Sequence, residues 1–258
     1  MLIDNFNYDI PDHLIAQNPS SKRSDSKLLV YYKDRDMIVD SQVKNITDFI
    51  DSSNFMVFNN SKVMPSRLKI MKSDNNREGE LLVLKIVDPR TIIGLTDKSK
   101  KYKPGSVILL PGNVRCVVKE DIDSVNKMIV CDEPVFTYSY FEANGMLPLP
   151  PYIRKTPGTS DYERYQTVYS KEYGSAAAPT AGLHFDDGVF GSLKDKGVDY
   201  TFVSLHVGLG TFMPIYTDNI EDHKIHEEEF SISTESARQI NDALKNGKKI
   251  IPVGTTSL

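Results

Sequence analysis

Between Arg67 and Val135 the chain breaks into short β-forming runs at close spacing: Leu81 to Val87, Thr91 to Leu95, Val107 to Leu110, Val114 to Val118 and Met128 to Cys131. Turn-forming residues separate them, among them Asp74-Asn75-Asn76, Asp88-Pro89, Pro104-Gly105 and Pro111-Gly112. No helical period interrupts the stretch. Many short strands with turns at this spacing predict an antiparallel sheet or small barrel.

The flanks obey different rules. On the amino-terminal side, Leu28 to Tyr32 and Met37 to Val39 bracket the polar turn Lys33 to Asp36, which predicts a hairpin, and Asn45 to Ile50 predicts a helical turn. Phe55 to Phe58 is wholly apolar and β-forming, the pattern of a buried strand, and it ends in the turn-favouring Asn59-Asn60-Ser61. On the carboxyl-terminal side, Asp187 to Lys196 carries Val189, Phe190 and Leu193 on one helical face and stops at Gly197. Val198 to Leu205 reads as a strand, Thr234 to Asn246 as a second helix and Lys249 to Val253 as a second strand. Helix and strand in alternation predict an α/β layer with parallel pairing. The expected fold class is therefore α/β: residues 1–65 and 149–258 build a barrel-like α/β domain, and 66–148 form an inserted antiparallel β-barrel.

Composition narrows the function classes. The net charge of −4 over 258 residues offers no global attraction to nucleic acid, although a local basic face would suffice for an RNA-modifying enzyme. Lys98, Lys100, Lys101 and Lys103 form one basic cluster, either a solvated face or a phosphate contact. The acidic amino terminus lacks the basic and apolar regions of a signal peptide, and no apolar run reaches bilayer length. Cys116 and Cys131 form no C-x-x-C pair, so they are expected reduced and partly buried in a cytoplasmic protein without membrane contact.

The chemistry concentrates in the histidines. Four of the five, His184, His206, His223 and His226, lie within one short part of the chain beside Gly, Pro, Thr or acidic residues. Imidazole exchanges protons near neutral pH, and glycine lets a ligand approach the backbone. His206 follows the strand ending at Leu205 and precedes Gly208 and Gly210, so it reads as part of a ligand-facing loop beyond a strand's carboxyl end, or as a tight turn. His184 precedes a predicted helix in P-T-A-G-L-H-F; the segment could hold an anion, with Thr180 giving a hydroxyl, or Thr180 and Asp186 could merely cap local structure. His223 and His226 share a face if helical, but H-x-x-H followed by Glu227 and Glu228 is not a recognised ligand pattern. Acidic neighbours suit acid–base work instead. Asn59, Asn60 and Arg67 offer donors and acceptors for a nucleobase, phosphate or carboxylate, or belong to an ordinary loop.

Taken in order, eight segments closely resemble the S-adenosylmethionine:tRNA ribosyltransferase-isomerase family of queuosine biosynthesis. They are L-I-A-Q-N-P (14–19), V-F-N-N-S-K-V-M-P-S-R-L (57–68), M-L-P-L-P-P-Y-I (146–153), R-Y-Q-T-V-Y-S (164–170), A-A-P-T-A-G-L-H-F (177–185), S-L-H-V-G-L-G-T-F-M-P (204–214), E-D-H-K-I-H-E-E (221–228) and V-G-T-T-S (253–257). The resemblance implies a ribosyl transfer from S-adenosyl-L-methionine, as co-substrate, to the aminomethyl group of a 7-deazaguanine in a tRNA anticodon, with rearrangement to epoxyqueuosine and release of adenine and methionine. It implies no further cofactor, no metal, a cytoplasmic setting and a monomer. On it, His184, His206 and His226 take the acid–base work, with Glu228 orienting His226. Asn59, Asn60, Arg67, Tyr165, Gln166, Pro179, Thr180, Gly182, Gly208, Gly210, Thr211, Phe212, Thr255 and Thr256 would line the substrate pocket. The family also implies an inserted β-barrel, as read above, and further chain after V-G-T-T-S, so that the α/β layer here would end with an open apolar edge. Glu229 stands where an aromatic residue is usual. Two other readings stay open: a tRNA-binding remnant, and a metal-dependent hydrolase built on His223, His226 and the neighbouring glutamates.

Overall fold

A computed structural model describes residues 1–258 except 98, 209–214, 216, 224 and 226. The amino-terminal part holds a hairpin of β1 (Lys27–Tyr32) and β2 (Met37–Gln42), where Tyr32 faces Met37 and Lys27 faces Gln42. A 3₁₀ turn over Lys33–Arg35 and left-handed Asp36 close it, as the polar turn residues require. The expected helical turn is a 3₁₀ helix, Val43–Asp48.

β3 (Asn54–Asn59) and the short β4 (Ser61–Val63) lead into the barrel. Six strands close it: β5 (Arg67–Lys72), β6 (Arg77–Asp88), β7 (Thr91–Thr96), β8 (Val107–Leu110), β9 (Val114–Asp121) and β10 (Asn126–Cys131), in the order β10-β7-β6-β5-β8-β9 with every pair antiparallel. Inward positions alternate along the strands, so Leu68, Ile70, Leu81, Val83, Ile92, Ile108, Val118 and Ile129 fill the interior. β5 was not among the expected strands because its run, Arg67 to Lys72, has three charged residues among six and no long apolar stretch. Cys116 and Cys131 correct another expectation. The antiparallel register of β9 and β10 sets them directly opposite each other, and they are joined as a buried disulfide rather than left as separate thiols.

The chain leaves the barrel through α1 (Tyr138–Asn144), whose Phe141 and the preceding Phe136 pack into the barrel core. Arg67 and Met146 then exchange backbone hydrogen bonds of 3.2 and 2.8 Å, tying the entry and exit passes together. After α2 (Thr159–Arg164), β11 (Glu172–Ser175) pairs parallel with β4.

α3 (Asp187–Asp195), β12 (Asp199–His206), β13 (Glu229–Ser231), α4 (Thr234–Lys245) and β14 (Lys249–Val253) complete the α/β part. The sheet order is β13-β12-β3-β14; β12, β3 and β14 run parallel and β13 antiparallel. β3 explains its own apolar run. Met56 and Phe58 pack under α3 with Val189 and Leu193, while Phe55 and Val57 face Ala243 of α4 on the other side. Phe58 also meets Phe185, Tyr169 and Phe190 at ring separations of 5.0–5.4 Å, where burial of one such ring contributes about 1.5–3 kcal/mol. Asp186 caps α3 by accepting from the Val189 N–H, and Ser233 caps α4 by accepting from Ser236. β14 is an edge strand and carries Pro252, a residue that edge strands tolerate. Among the described residues no helix is long and apolar enough to cross a membrane.

Candidate functional site

The three parallel strands end on one edge of the sheet, at Asn59, His206 and Val253. β13 starts from the same edge, with Glu229 directly opposite His206. Ligands of α/β proteins collect outside the carboxyl ends of parallel strands. Here a cleft of about 520 Å³ lies between that edge and the barrel strand β6. Its sheet wall is His206, Val207, Gly208 and Glu227 to Glu229; its barrel wall includes Leu84, Lys85 and Ile86; Met64, Tyr138, Tyr173 and Gly174 close the third side.

His206 is the last residue of β12, inside the strand and not one residue past it as the sequence pattern predicts. Among the described residues its Nδ1 is buried without a hydrogen-bond partner. Gly174 of β11, at φ +138°, passes beneath the ring, where an added Cβ would lie 3.0 Å from Nδ1. Only glycine fits that backbone and that space. The Glu228 carboxylate accepts the Gly208 N–H at 2.8 Å. It therefore holds the backbone at Gly208, two residues after His206; His226, which Glu228 is expected to orient, lies outside the described residues together with Gly210, Thr211 and Phe212. Glu229 pairs with Lys85 of β6, joining the sheet to the barrel across the cleft. That hydrogen bond, the lysine charge and, last, the charge of His206 hold the Glu229 carboxyl below its ordinary range.

The asparagines correct the sequence reading. Asn59 is fully buried, its Nδ2 donating to the Leu205 carbonyl at 2.9 Å and its Oδ1 accepting from the N–H groups of Leu205 and Ser61. Asn60 accepts the Ser204 hydroxyl at 2.6 Å. The Asn59 amide is thus fully used in tying β3 to β12 and to Ser61, and the Asn60 carbonyl oxygen holds Ser204 of β12, so both position the strand end that carries His206. Gln166 likewise pairs with the backbone of Val63 through both amide atoms. Tyr165 lies in a small core with Val63, Leu147 and Ala178, and burial raises its phenol to about 12. Pro179 and Gly182 are buried; a Cβ on Gly182 would strike the Tyr169 hydroxyl. Arg67 is half-buried and pairs with Glu80 of β6 at 3.2 Å. Thr180 is exposed, at the start of the 3₁₀ turn Thr180–His184. Thr255 and Thr256 form a 3₁₀ turn after β14, and the close approach of Gly254 to Ala181 brings this turn beside the Thr180 segment.

His184 is not brought into the His206 cleft. Its Nδ1 meets the Ser26 hydroxyl at 2.9 Å, and partial burial followed by the Arg23 charge lowers its pKa. Arg23 itself donates to the carbonyls of Glu163, Arg164 and Leu183, so this corner is a packed junction of three segments. His223 follows the 3₁₀ turn Ile220–Asp222, and its possible partner His226 is not described. Among the described residues no group of three or more His, Cys, Asp or Glu is placed to hold a metal ion. Of the basic cluster, Lys100 and Lys101 lie in a 3₁₀ turn on the barrel, and Lys98 is outside the described residues. The cleft residues that sequence reasoning missed are Lys85, Tyr138, Tyr173, Gly174 and Glu229. A barrel lysine and the first residue of α1 carry no local signal, because only the closure of the barrel against the sheet brings them to the cleft.

A family model described as queuosine biosynthesis protein matches residues 3–258. An S-adenosylmethionine:tRNA ribosyltransferase-isomerase of Vesicomyosocius okutanii is 40% identical over 258 residues, covering all of this chain and 74% of that protein. One of Treponema denticola is 39% identical over 263 residues, covering all of this chain and 76% of that protein. Among solved structures, S-adenosylmethionine tRNA ribosyltransferase of Thermotoga maritima matches at 23% identity and a TM-score of 0.43, covering 98% of this chain and 69% of that one, too loose a superposition to transfer residue positions.

Proposed function

This chain belongs to the queuosine biosynthesis protein family, and from that premise we propose that its cleft at the carboxyl edge of the sheet carries out S-adenosylmethionine:tRNA ribosyltransferase-isomerase chemistry. The acceptor in this reading is the aminomethyl group of a 7-deazaguanine in tRNA, and the products are epoxyqueuosine-tRNA, adenine and methionine. Two of the reaction's proton movements suit imidazole side chains. The sulfonium acidifies the C5′ protons of the nucleoside, one of which a base removes, and adenine takes up a proton as it leaves. Imidazole can do either near neutral pH.

The observation that supports this best is the setting of His206. Its ring stands at the cleft wall, backed by Gly174, with Nδ1 free of partners among the described residues and three glutamates, Glu227 to Glu229, beside it. Carboxylates attract a sulfonium cation. Glu228 holds the backbone at Gly208, and Asn59 and Asn60 fix the strand before it. As the acceptor nitrogen bonds to the ribosyl carbon, the glycosidic bond releases adenine and the sulfonium releases methionine; S-adenosyl-L-methionine enters as co-substrate, and this reading assigns no separate cofactor or metal. The reading places the chain in the cytoplasm, acting as a monomer on tRNA. Incubation of the chain with S-adenosylmethionine and tRNA carrying the aminomethyl-deazaguanine tests it. Free adenine is the expected product; its absence in a preparation that binds both substrates refutes the assignment.

A further inference from the structure

The same cleft carries an aromatic wall, beginning next to the Gly174 that backs His206, which the proton chemistry does not use. Tyr138, the first residue of α1, stacks on Tyr173 of β11 with ring centroids 4.9 Å apart and planes inclined by 24°. Tyr173 is pinned from the same helix, because its hydroxyl donates to Glu142 at 2.5 Å. The Lys62 ammonium lies 4.3 Å from the centre of the Tyr173 ring. Tyr138 is nonetheless 45% exposed, a large apolar ring left open at the mouth of a polar cleft.

We infer that the Tyr138–Tyr173 pair, with Lys62 beside it, is a stacking platform for an unpaired nucleobase of the RNA substrate, next to the base that reacts at His206. An enzyme that modifies one base must hold the strand with that base out of its stack, and aromatic faces with nearby cations are how proteins hold unpaired nucleotides. The rings are already stacked without a ligand, and the Tyr173 hydroxyl is held by Glu142. Glu227, Glu228 and Glu229 line the His206 end, with Lys85 paired to Glu229, and suit a sulfonium. Beside the tyrosines Lys62, which is not itself a lining residue, offers a cation to a phosphate-bearing strand, while Glu142 is engaged by the Tyr173 hydroxyl. The platform is therefore assigned to RNA and not to the adenine of S-adenosylmethionine.

This inference rests on the function proposed above, and the experiment separates the two. Fluorescence anisotropy with an anticodon stem-loop RNA, and equilibrium dialysis with S-adenosylmethionine, are measured for the wild type, Tyr138→Ala, Tyr138→Phe and Lys62→Gln. Tyr138→Ala is expected to weaken RNA binding about tenfold, one stacked base, while Tyr138→Phe keeps it. Lys62→Gln is expected to lower the slope of log affinity against log salt by about one unit. Binding of S-adenosylmethionine is expected to be unchanged in all three. RNA affinity unaltered in Tyr138→Ala, with the wild type binding RNA, overturns the platform alone. A loss of S-adenosylmethionine affinity in its place assigns the rings to the nucleoside and also overturns it. A wild type that binds no RNA at all removes the proposed function and the platform together.

Discussion

Replacing Gly174 by alanine tests the most specific contact in the site. At φ +138° this residue adopts a backbone that side chains other than hydrogen rarely allow, and its ideal Cβ would fall 3.0, 3.2 and 3.4 Å from Nδ1, Cε1 and Cγ of His206. Ordinary contacts between such atoms lie near 3.5–4.0 Å. The methyl group must therefore push the imidazole, and the backbone must strain. Holding a non-glycine residue in a sparsely populated region costs about 1–3 kcal/mol. For a chain of this size each kcal/mol lowers the melting temperature by about 2–4 °C. Displacement of a reacting group by about 1 Å can cost on the order of a hundredfold in rate. Gly174→Ala should thus melt several degrees lower and lose adenine release by about that factor, measured by calorimetry and by single-turnover assay. Gly191→Ala is the control. Gly191 lies inside α3 with no atom within 4 Å of its added Cβ, so this change should stabilise the fold by about 0.5–1 kcal/mol and leave the rate unaltered. An unchanged melting temperature and rate in Gly174→Ala would refute the claim that Gly174 shapes the seat of His206.

Asn59→Ala should cost about 2–4 kcal/mol in urea unfolding, because it strands the buried N–H and C=O of Leu205 and the N–H of Ser61; a cost near zero would show that the amide does not tie β3 to β12. His184 gives a pH dependence. Burial and Arg23 depress its folded pKa, so the unfolded chain binds the proton more readily, and stability present above the ordinary value of 6.5 is lost as pH falls from there toward the folded pKa. His184→Gln should flatten that part of the stability profile in thermal melts from pH 5 to 8, and a profile identical to the wild type contradicts the assignment.

Much of the fold is legible in the sequence because its elements follow local rules. β14 coincides with the predicted run Lys249 to Val253, and α3 and α4 start at the predicted residues, Asp187 and Thr234, each behind a capping side chain. The wholly apolar run around Phe55 to Phe58 signals a strand covered on both faces, as β3 is. β5 and β11 escape notice because the first has three charged residues among six and few β-branched ones, and the second is only four residues long and contains Gly174. The site is less legible. An amide in N-N-S looks the same whether it faces a ligand or a neighbouring strand, and only the pairing of β3 with β12 brings Asn59 and Asn60 within hydrogen-bond reach of Leu205 and Ser204. His206 and His184 sit in equally suggestive motifs. Tertiary structure distinguishes them, setting one in the cleft and bonding the other to Ser26. Glu229, where the resemblance leads one to expect an aromatic ring, pairs with Lys85, a residue 144 positions away that no local pattern could nominate.

The most direct test of the account is adenine release from S-adenosylmethionine by His206→Asn in the presence of the tRNA acceptor, with binding of both substrates checked in parallel. If His206 moves the proton in this cleft, the variant binds both substrates and releases adenine on the order of a hundredfold or more slowly than the wild type. Release at the wild-type rate would place the chemistry elsewhere in the molecule.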